Sequence, residues 1–251
     1  MKLVFLGSGG SKGVPMVGCE CRICSSSSVF NKRLRSSALL EIEGKRFLID
    51  SGPDFRFQAL KYGVKNIAGF LLTHAHFDHI AGIDDLATLA YHAKSSINCL
   101  ASNETLLDLK KSHNYLFRFE GIDPFRFHIL KKDFGEVQFC GIKIHYVHYM
   151  QSNTKVTGFR FGDLAYMTDI SSYCCGIFPP LMGIKILIIS LRAFKGSKGH
   201  LGLKDILNIS NKVGAQKTYL THLSHDIDYE RDRSALPKGF NFAYDGLEVQ
   251  V

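Results

Sequence analysis

The sequence predicts an α+β fold in which packed β-sheets are flanked by helices. Strand-like segments come in runs, and helical segments stand between or after those runs without a strict alternation. With 45% hydrophobic and 22% charged residues, the 251-residue chain has an ordinary globular composition. No repeat or low-complexity linker divides it, so we expect a single domain over residues 1–251.

The first half of the chain alternates short apolar runs with helical spacing. Residues 2–6 form an apolar run that stops at a glycine-rich turn, which predicts a buried strand. Two strand-like runs at 37–42 and 46–50 are separated by Glu43-Gly44-Lys45, a hairpin signal. A further short strand is predicted at 70–72. Apolar residues three and four apart predict helices at 54–63, 83–94 and 103–112.

The second half is rich in strand patterns. Alternating or continuous apolar residues predict strands at 125–130, 137–147, 157–161, 164–168, 185–190 and 218–220. Helical spacing returns at 203–213. The last residues, 241–251, are predicted to form a closing hairpin.

The glycine-rich turn after the first strand raises the question of a nucleotide site. Gly7-Ser8-Gly9-Gly10 does not have the spacing of a phosphate-binding loop. Lys12 stands where the dinucleotide pattern needs its third glycine. Both nucleotide interpretations are therefore rejected.

The chain is basic, with 31 Lys and Arg against 23 Asp and Glu, a formal net charge of +8. This charge favours anionic substrates in general, and a nucleic-acid groove is the less favoured alternative. The basic residues are spread out, with a modest group at Lys32, Arg33 and Arg35, and we expect most of them on the solvated surface. No export signal or membrane-spanning run is evident, so a cytoplasmic location without membrane contact is expected.

Three of the seven cysteines stand close together as Cys19, Cys21 and Cys24. An odd number of cysteines without an export signal argues against a disulfide framework and favours metal ligation for this cluster. Redox chemistry is the weaker alternative, because the Cys-x-x-Cys pair lacks the usual βαβ setting. The scattered cysteines are expected to be small core side chains.

The strongest chemical signal follows the predicted strand at 70–72. His74 and His76 alternate by two, so on an extended segment they point the same way, and Asp78 and His79 come directly after them. Imidazole and carboxylate are the ligands that zinc, manganese and iron accept. Three histidines and an aspartate within six residues therefore predict a metal site.

Three further side chains stand where apolar strand patterns stop. They are His148, Asp169 and His222. Together with the motif they suggest two ions: one held by His74, His76 and His148, the other by Asp78, His79 and His222, with Asp169 bridging both. Two such ions, zinc or manganese, can activate water and stabilise a hydrolytic displacement.

This pattern, Thr-His-x-His-x-Asp-His followed by later His, Asp and His, resembles the metallo-β-lactamase fold superfamily. The resemblance implies a four-layer αβ/βα sandwich, with two mixed β-sheets flanked by helices and the metals at one edge between the sheets. The motif is specific for the superfamily and says little about the substrate.

Further motifs are similar to the phosphoribosyl cyclic phosphodiesterase (PhnP) group. The loop at about 18–25, with Cys19, Cys21 and Cys24, resembles that group's structural zinc loop, whose fourth ligand would be His225. The glycine-rich opening and the C-terminal 235–240 and 244–248 segments are also similar, so the likeness covers essentially the whole chain. The quinone-cofactor proteins of the PqqB type share the cysteine loop.

The resemblance implies a dinuclear phosphodiesterase acting on small cyclic phosphodiesters. Asp78 would help orient the attacking hydroxide, and His200 would contact the substrate phosphate and assist the leaving oxygen. The approach to His148 differs from the usual pattern, which leaves His145 as the alternative third ligand. The 151–156 segment and the 195–199 loop also differ, so the choice of substrate stays open.

Several alternatives remain at this point. An RNA-processing nuclease of the tRNA 3′-end type is the main one within the superfamily, although no insertion the size of a tRNA-gripping arm is present. A thioesterase or glyoxalase-type hydrolase is less favoured. A non-catalytic metal-binding or nucleic-acid-binding protein would not need so many candidate ligands. The chain could act as a monomer or a homodimer on a small anionic phosphodiester.

Overall fold

Two seven-stranded β-sheets form the centre of the computed structural model, which describes residues 1–118 and 123–251. The strands are β1 Lys2–Gly7, β2 Ser37–Ile42, β3 Lys45–Ile49, β4 Gly69–Leu71, β5 Ile97–Ser102, β6 Phe125–Leu130, β7 Phe134–Phe139, β8 Ile142–Gln151, β9 Thr154–Phe161, β10 Leu164–Met167, β11 Ile186–Ser190, β12 Lys217–Thr221, β13 Phe240–Phe242 and β14 Glu248–Gln250. Sheet I has the order β14-β1-β2-β3-β4-β5-β6, and sheet II has the order β13-β12-β11-β10-β9-β8-β7.

The helices cover the outer faces of the two sheets. They are α1 Phe55–Lys61, α2 Phe77–Ile80, α3 Ile83–Ala93, α4 Asn103–Ser112, α5 Phe178–Leu181, α6 Leu203–Val213 and α7 Tyr229–Asp232. The inner faces pack against each other through side chains such as Phe5 and Phe159. Helix α3 packs on the outside of sheet I, and α6 packs on the outside of sheet II. The predicted two mixed sheets flanked by helices are therefore confirmed.

The helices follow from apolar spacing. In α3 the buried residues Ile83, Leu86, Ala87 and Ala90 recur every three or four positions and form one stripe. Each large apolar side chain fully buried in this way contributes about 1.5–3 kcal/mol. Helix α6 ends at Gly214, which adopts a φ of 79° that favours glycine. None of the helices in the described ranges has the length and hydrophobicity needed to cross a bilayer.

Two predicted elements were wrong. Residues 137–147 form parts of β7 and β8, which are separated by a tight turn at Cys140 and Gly141 with φ angles of 49° and 79°. Phe139 and Ile142 on either side of this turn are both buried, so the apolar pattern of the sequence continues across it. The pattern alone therefore does not reveal that one strand ends and another begins.

The predicted closing hairpin at 241–251 is also wrong. Strand β13 pairs with β12 in sheet II, whereas β14 pairs with β1 in sheet I. The half-buried Asp245 between them accepts hydrogen bonds from the backbone N–H groups of Ser8 and Leu34, both at 2.8 Å. These long-range contacts hold the connection across the two sheets, and no local signal predicts them.

The topology places the carboxyl ends of several strands at one edge. Strands β3, β4, β5 and β6 are parallel in sheet I, and β10, β11, β12 and β13 are parallel in sheet II. Polar residues that follow such strands meet in the crevice beyond their carboxyl ends. Asp50, Thr73, Asp169 and His222 all follow strands of these two sets.

Candidate active site

Three site residues share an unusual backbone conformation within two residues of the end of a strand. Asp50, Asp169 and His222 have φ angles of 59°, 52° and 59°, in the left-handed region that non-glycine residues rarely adopt. Each is at most 1% exposed. Such a conformation costs on the order of 1–3 kcal/mol and persists where the surrounding structure over-determines it. The positions at these strand ends are therefore held by the fold at a cost in stability.

The segment that carries the histidine motif is locked against the turn after β3. The backbone N–H of Ser51 donates to the carbonyl of His79 at 2.8 Å. A Cβ atom on Gly52 would lie 2.0 Å from the carbonyl oxygen of Asp78, so only glycine allows this approach. Two loops distant in sequence are thereby fixed in one register.

Four ligand-type side chains converge at one buried point. His79 Nε2 lies 3.0 Å from Asp169 Oδ2 and 3.3 Å from Asp78 Oδ2. His222 Nε2 lies 3.2 Å from Asp78 Oδ2 and 3.3 Å from Asp169 Oδ1. The two carboxylates therefore share both imidazoles.

A pair of imidazoles lies beside this point. His74 Nε2 is 3.0 Å from His76 Nδ1, and His76 Nε2 is 3.1 Å from Thr154 Oγ1. Ligand atoms of His74, His79 and Asp169 lie within 4.8 Å of one another. We refer to all six side chains, His74, His76, Asp78, His79, Asp169 and His222, as the His/Asp cleft.

The cleft fits divalent cations better than a set of internal hydrogen bonds. His79 Nε2 is buried between two carboxylates, yet its geometry gives a hydrogen bond to neither of them. An imidazole nitrogen that faces two carboxylates without bonding either one is typical of zinc, manganese or iron sites, and in this cleft His222 Nε2 makes the one nitrogen-to-carboxylate hydrogen bond among the described ligand side chains, to Asp78 Oδ2 at 3.2 Å.

The carboxylates of the cleft are held in their charged form. Burial alone would raise the pKa of Asp78 and of Asp169, but the charges of His79 and His222 outweigh it and lower both values well below the usual range. At His74, burial disfavours the charged imidazolium and lowers the pKa well below its ordinary value, so the ring is neutral. Metal binding requires ionised carboxylates and neutral imidazoles; Asp78, Asp169 and His74 have these states, whereas the raised pKa values of His79 and His222 mean that a cation would have to displace their extra protons.

A second group of ligand-type side chains lies in the loop before β2. The Sγ atoms of Cys19, Cys21 and Cys24 lie 3.3, 3.6 and 3.4 Å from His225 Nδ1. We call these four residues the cysteine cluster. The backbone N–H of Cys24 donates to Cys21 Sγ at 3.4 Å and lowers the pKa of Cys21 to about 6, which favours its thiolate. Three sulfurs and one imidazole nitrogen match the four-ligand donor set that structural zinc sites use.

The sequence comparison decides the family. Residues 45–223 match the sequence profile of the "Beta-lactamase superfamily domain". The chain belongs to the beta-lactamase superfamily. A solved structure described as a new diphosphatase from the PhnP family is 36% identical and covers 99% of this chain and 96% of its own, with a TM-score of 0.91.

Two other proteins are similar to this superfamily member, one in sequence and one in fold. The octanoyltransferase of Porphyromonas gingivalis is 33% identical over 257 residues, which are 100% of this chain and 52% of that protein. The chain thus spans about half the length of this curated relative. Zinc-bound PqqB from Methylobacterium extorquens, at 19% identity and a TM-score of 0.77, shares the fold over 100% of both chains.

One functional residue of this superfamily site escaped the sequence prediction. Asp50 Oδ2 is 2.7 Å from His79 Nδ1 and also accepts a hydrogen bond from Thr73 Oγ1 at 2.8 Å. Its Oδ1 accepts from the Thr73 backbone N–H at 2.9 Å. Asp50 therefore fixes the His79 ring so that Nε2 faces the cleft. Its position at the end of a strand is the signal that could have identified it.

The predicted third ligand and its alternative lie elsewhere. His148 is three residues before the end of β8, and its ring contacts Tyr146 with a centroid distance of 5.6 Å. Among the described residues it joins none of the His, Cys, Asp or Glu groups whose ligand atoms converge. His145 is 3.9 Å from Glu136 on neighbouring β7. The metal role of His148 stays a prediction, without support from these contacts.

Instead, Gln151 and His200 border the cleft. The Gln151 Nε2 atom is 2.9 Å from Asp169 Oδ1 and 3.4 Å from His200 Nε2. His200 Nδ1 lies 3.7 Å from Asp169 Oδ1. The structure thus places His200 beside the predicted metal ligands, and it adds Gln151, which the sequence analysis identified only as part of a divergent segment.

One of the basic residues expected on the surface is buried. Arg33 is 2% exposed, and its guanidinium donates to the carbonyls of Phe30, Ser224 and Ile227 at 2.9–3.0 Å and to the Asn31 side chain at 2.8 Å. It therefore ties the loop before β2 to the residues on both sides of His225. Burial lowers the pKa of Arg33 to about 10, so it remains charged.

Proposed function

We propose that this superfamily member is a dinuclear metal-dependent hydrolase of small phosphodiesters, with cyclic phosphodiesters as the first candidates. The observation that carries the proposal is the convergence of two buried, ionised carboxylates with four imidazoles at one edge of the two sheets. A structural ion needs about four ligands. The His/Asp cleft offers six side chains, with Asp169 close to His74, His79 and His222, which supports two ions.

The cleft residues would hold the ions in two overlapping sets. Asp78, His79 and His222 would form one set, His74 and His76 would belong to the other, and Asp169 would be shared. Divalent ions held there would stabilise charge on the phosphoryl oxygens and lower the pKa of water. Asp50 keeps the His79 ring oriented, because its carboxylate accepts the Nδ1 proton.

His200 is suited to contact the substrate. Burial lowers the pKa of His200 to about 4, so the ring is neutral at pH 7 and carries one N–H. That N–H can donate to the leaving oxygen or to a non-bridging phosphoryl oxygen. The positive charge of nearby Arg192 acts on His200, and Arg192 lines a small cavity together with Lys12. These cations favour an anionic substrate.

Diphosphates are the second candidate substrate class. The structure similar over nearly the full chain is described as a diphosphatase, and a diphosphate offers the same phosphoryl oxygens to the cleft. The transferase activity named for the Porphyromonas gingivalis relative belongs to a protein about twice as long. An octanoyl thioester therefore belongs in the assay only as a test of acyl chemistry.

The deciding experiment is a substrate panel with the Asp78→Asn variant. The panel contains an aryl phosphodiester, a cyclic ribose phosphate, a diphosphate ester, a precursor tRNA and an octanoyl thioester, with Mn²⁺ or Zn²⁺ added. We expect phosphodiester hydrolysis, and a loss of kcat/KM on the order of 1,000-fold in the variant because a ligand carboxylate is removed. Asp163→Asn, at an exposed ion pair with Lys185, is the matched control.

Two results would contradict the proposal. One is full phosphodiesterase activity in Asp78→Asn with a normal thermal unfolding curve. The other is a wild-type protein that cleaves the thioester or the precursor tRNA and leaves all three small phosphate substrates intact.

A further inference from the structure

Gln151 occupies the strand end that faces the cleft. Strand β8 is antiparallel to β9, and β9 is antiparallel to β10, so β8 and β10 run in the same direction. Gln151 is the last residue of β8, and Asp169 follows β10 at the same edge of sheet II. The 2.9 Å contact between their side chains results from this arrangement.

The orientation of the Gln151 amide follows from its neighbour. The amide nitrogen of Gln151 donates a hydrogen bond to Asp169 Oδ1 at 2.9 Å and therefore faces Asp169. The amide oxygen is thereby directed away from this contact. Gln151 Oε1 is buried, and it has no hydrogen-bond partner among the described residues. A buried carbonyl oxygen beside a cluster of metal-type ligands is an available oxygen donor for a cation.

His148 lies too far back on the same strand to fill this place. Three residues of an extended strand span about 10 Å. The charged groups that influence the His148 ring are Lys155, Glu104 and Asp133, and none of them belongs to the His/Asp cleft. The strand therefore presents an amide, and not an imidazole, at its cleft end.

We propose that the carbonyl oxygen of Gln151 completes the ion site formed by His74, His76 and Asp169, and that the two ion sites are therefore unequal. This inference rests on the proposed dinuclear function. The site with Asp78 has two imidazoles and two carboxylates, whereas the site with Gln151 replaces a charged or imidazole ligand by a neutral oxygen. Carbonyl oxygen suits Mn²⁺ and imidazole suits Zn²⁺. The Gln151 site binds its ion more weakly and discriminates less in favour of zinc.

Metal binding measures this inequality directly. The wild-type protein and the Gln151→Ala, Gln151→His and His148→Leu variants are dialysed against a chelator, and Zn²⁺ and Mn²⁺ are then titrated in separate experiments with calorimetric detection. In the wild type we expect one tight and one weak ion in the cleft, besides the zinc of the cysteine cluster. Co²⁺ substitution identifies the cysteine site through its sulfur-to-metal absorption.

The variants assign the weak site. Gln151→Ala should weaken the weak ion by about tenfold or more. Gln151→His should tighten it, and more for Zn²⁺ than for Mn²⁺. His148→Leu should leave both cleft affinities unchanged.

The inference fails if His148→Leu weakens the binding of a cleft ion and Gln151→Ala does not. It also fails if the two cleft ions bind with equal affinity and the substitutions of Gln151 change neither affinity. Failure of the proposed function gives a different result, namely unequal ions bound as expected by a protein that hydrolyses no phosphodiester. The binding data and the substrate panel therefore test the two proposals separately.

Discussion

The cysteine cluster and the His/Asp cleft are both groups of metal-type ligands, but the chain assembles them in opposite ways. Three of the four cluster residues lie between positions 19 and 24, and only His225 comes from a distant loop. The cleft collects residues from the ends of β4, β10 and β12, which lie in two different sheets. A local spacing is enough to predict the first group, whereas the second depends on the whole sandwich.

The two groups also differ in what they do for the fold. The cysteine cluster connects the loop before β2 to the segment after β12, and Arg33 reinforces this connection. At the cleft, Asp169, His222 and the supporting residue Asp50 have costly left-handed backbone conformations. We therefore expect substitutions in the cluster to reduce stability, and substitutions in the cleft to reduce metal binding or turnover.

The largest expected effect on stability is that of Cys24→Ser. Cys24 is buried, and removal of one thiolate would open the predicted zinc site, whose binding free energy would contribute to folding. The free energy of unfolding should fall by about 3 kcal/mol, with release of zinc, while turnover per folded molecule changes little. Chemical denaturation and metal analysis measure this, and Cys174→Ser at an exposed free cysteine is the control. Unchanged zinc content in Cys24→Ser would contradict the structural assignment.

An intermediate effect is expected for Asp50→Asn. The carboxylate accepts from both Thr73 and the His79 Nδ1 position, whereas an amide presents one donor nitrogen to a place where only an acceptor fits. The affinity of the cleft for its ions should fall about 10- to 100-fold, because the His79 ring loses its fixed orientation. A competition titration with a metal indicator gives the affinity. If Asp50→Asn binds metal like the wild type, Asp50 does not position His79.

The smallest expected effect concerns His148 and pH. Burial lowers the pKa of His148 from 6.5 to about 4, so the folded protein binds fewer protons than the unfolded chain between these values. This contribution leaves stability intact above pH 6.5 and reduces it as the pH falls towards about 4. The free energy of unfolding of His148→Leu, measured relative to the wild type, should therefore be about 1 kcal/mol higher at pH 5 than at pH 7.5, after allowance for solvent screening.

This last comparison is read from the difference between wild type and variant, in which all other titrations cancel. Denaturation at pH 7.5 and pH 5 provides the two values. An equal difference at both pH values would show that His148 titrates normally, and would remove the evidence for a buried neutral ring.

Much of the fold could be predicted because its signals are local. The helix at 83–94 and the strand at 185–190 agree with α3 and β11 to within about one residue, since apolar spacing reports which face is buried. The pattern failed at Cys140-Gly141, where buried residues flank a turn on both sides. It also failed at Arg33, because a charged side chain gives no indication that four acceptors, two of them distant in the sequence, surround it.

The sequence by itself determined the chemistry that is available: the His74–His79 motif, the Cys19–Cys24 loop and the polar residues at strand ends. These signals can be recognised in the sequence alone because ligand type and close spacing do not depend on the fold. The tertiary structure alone decided that Asp50 supports His79 and that Gln151, three residues beyond His148, faces the cleft. Such choices depend on strand direction and on where each strand ends, and these are fixed only when the two sheets pack together.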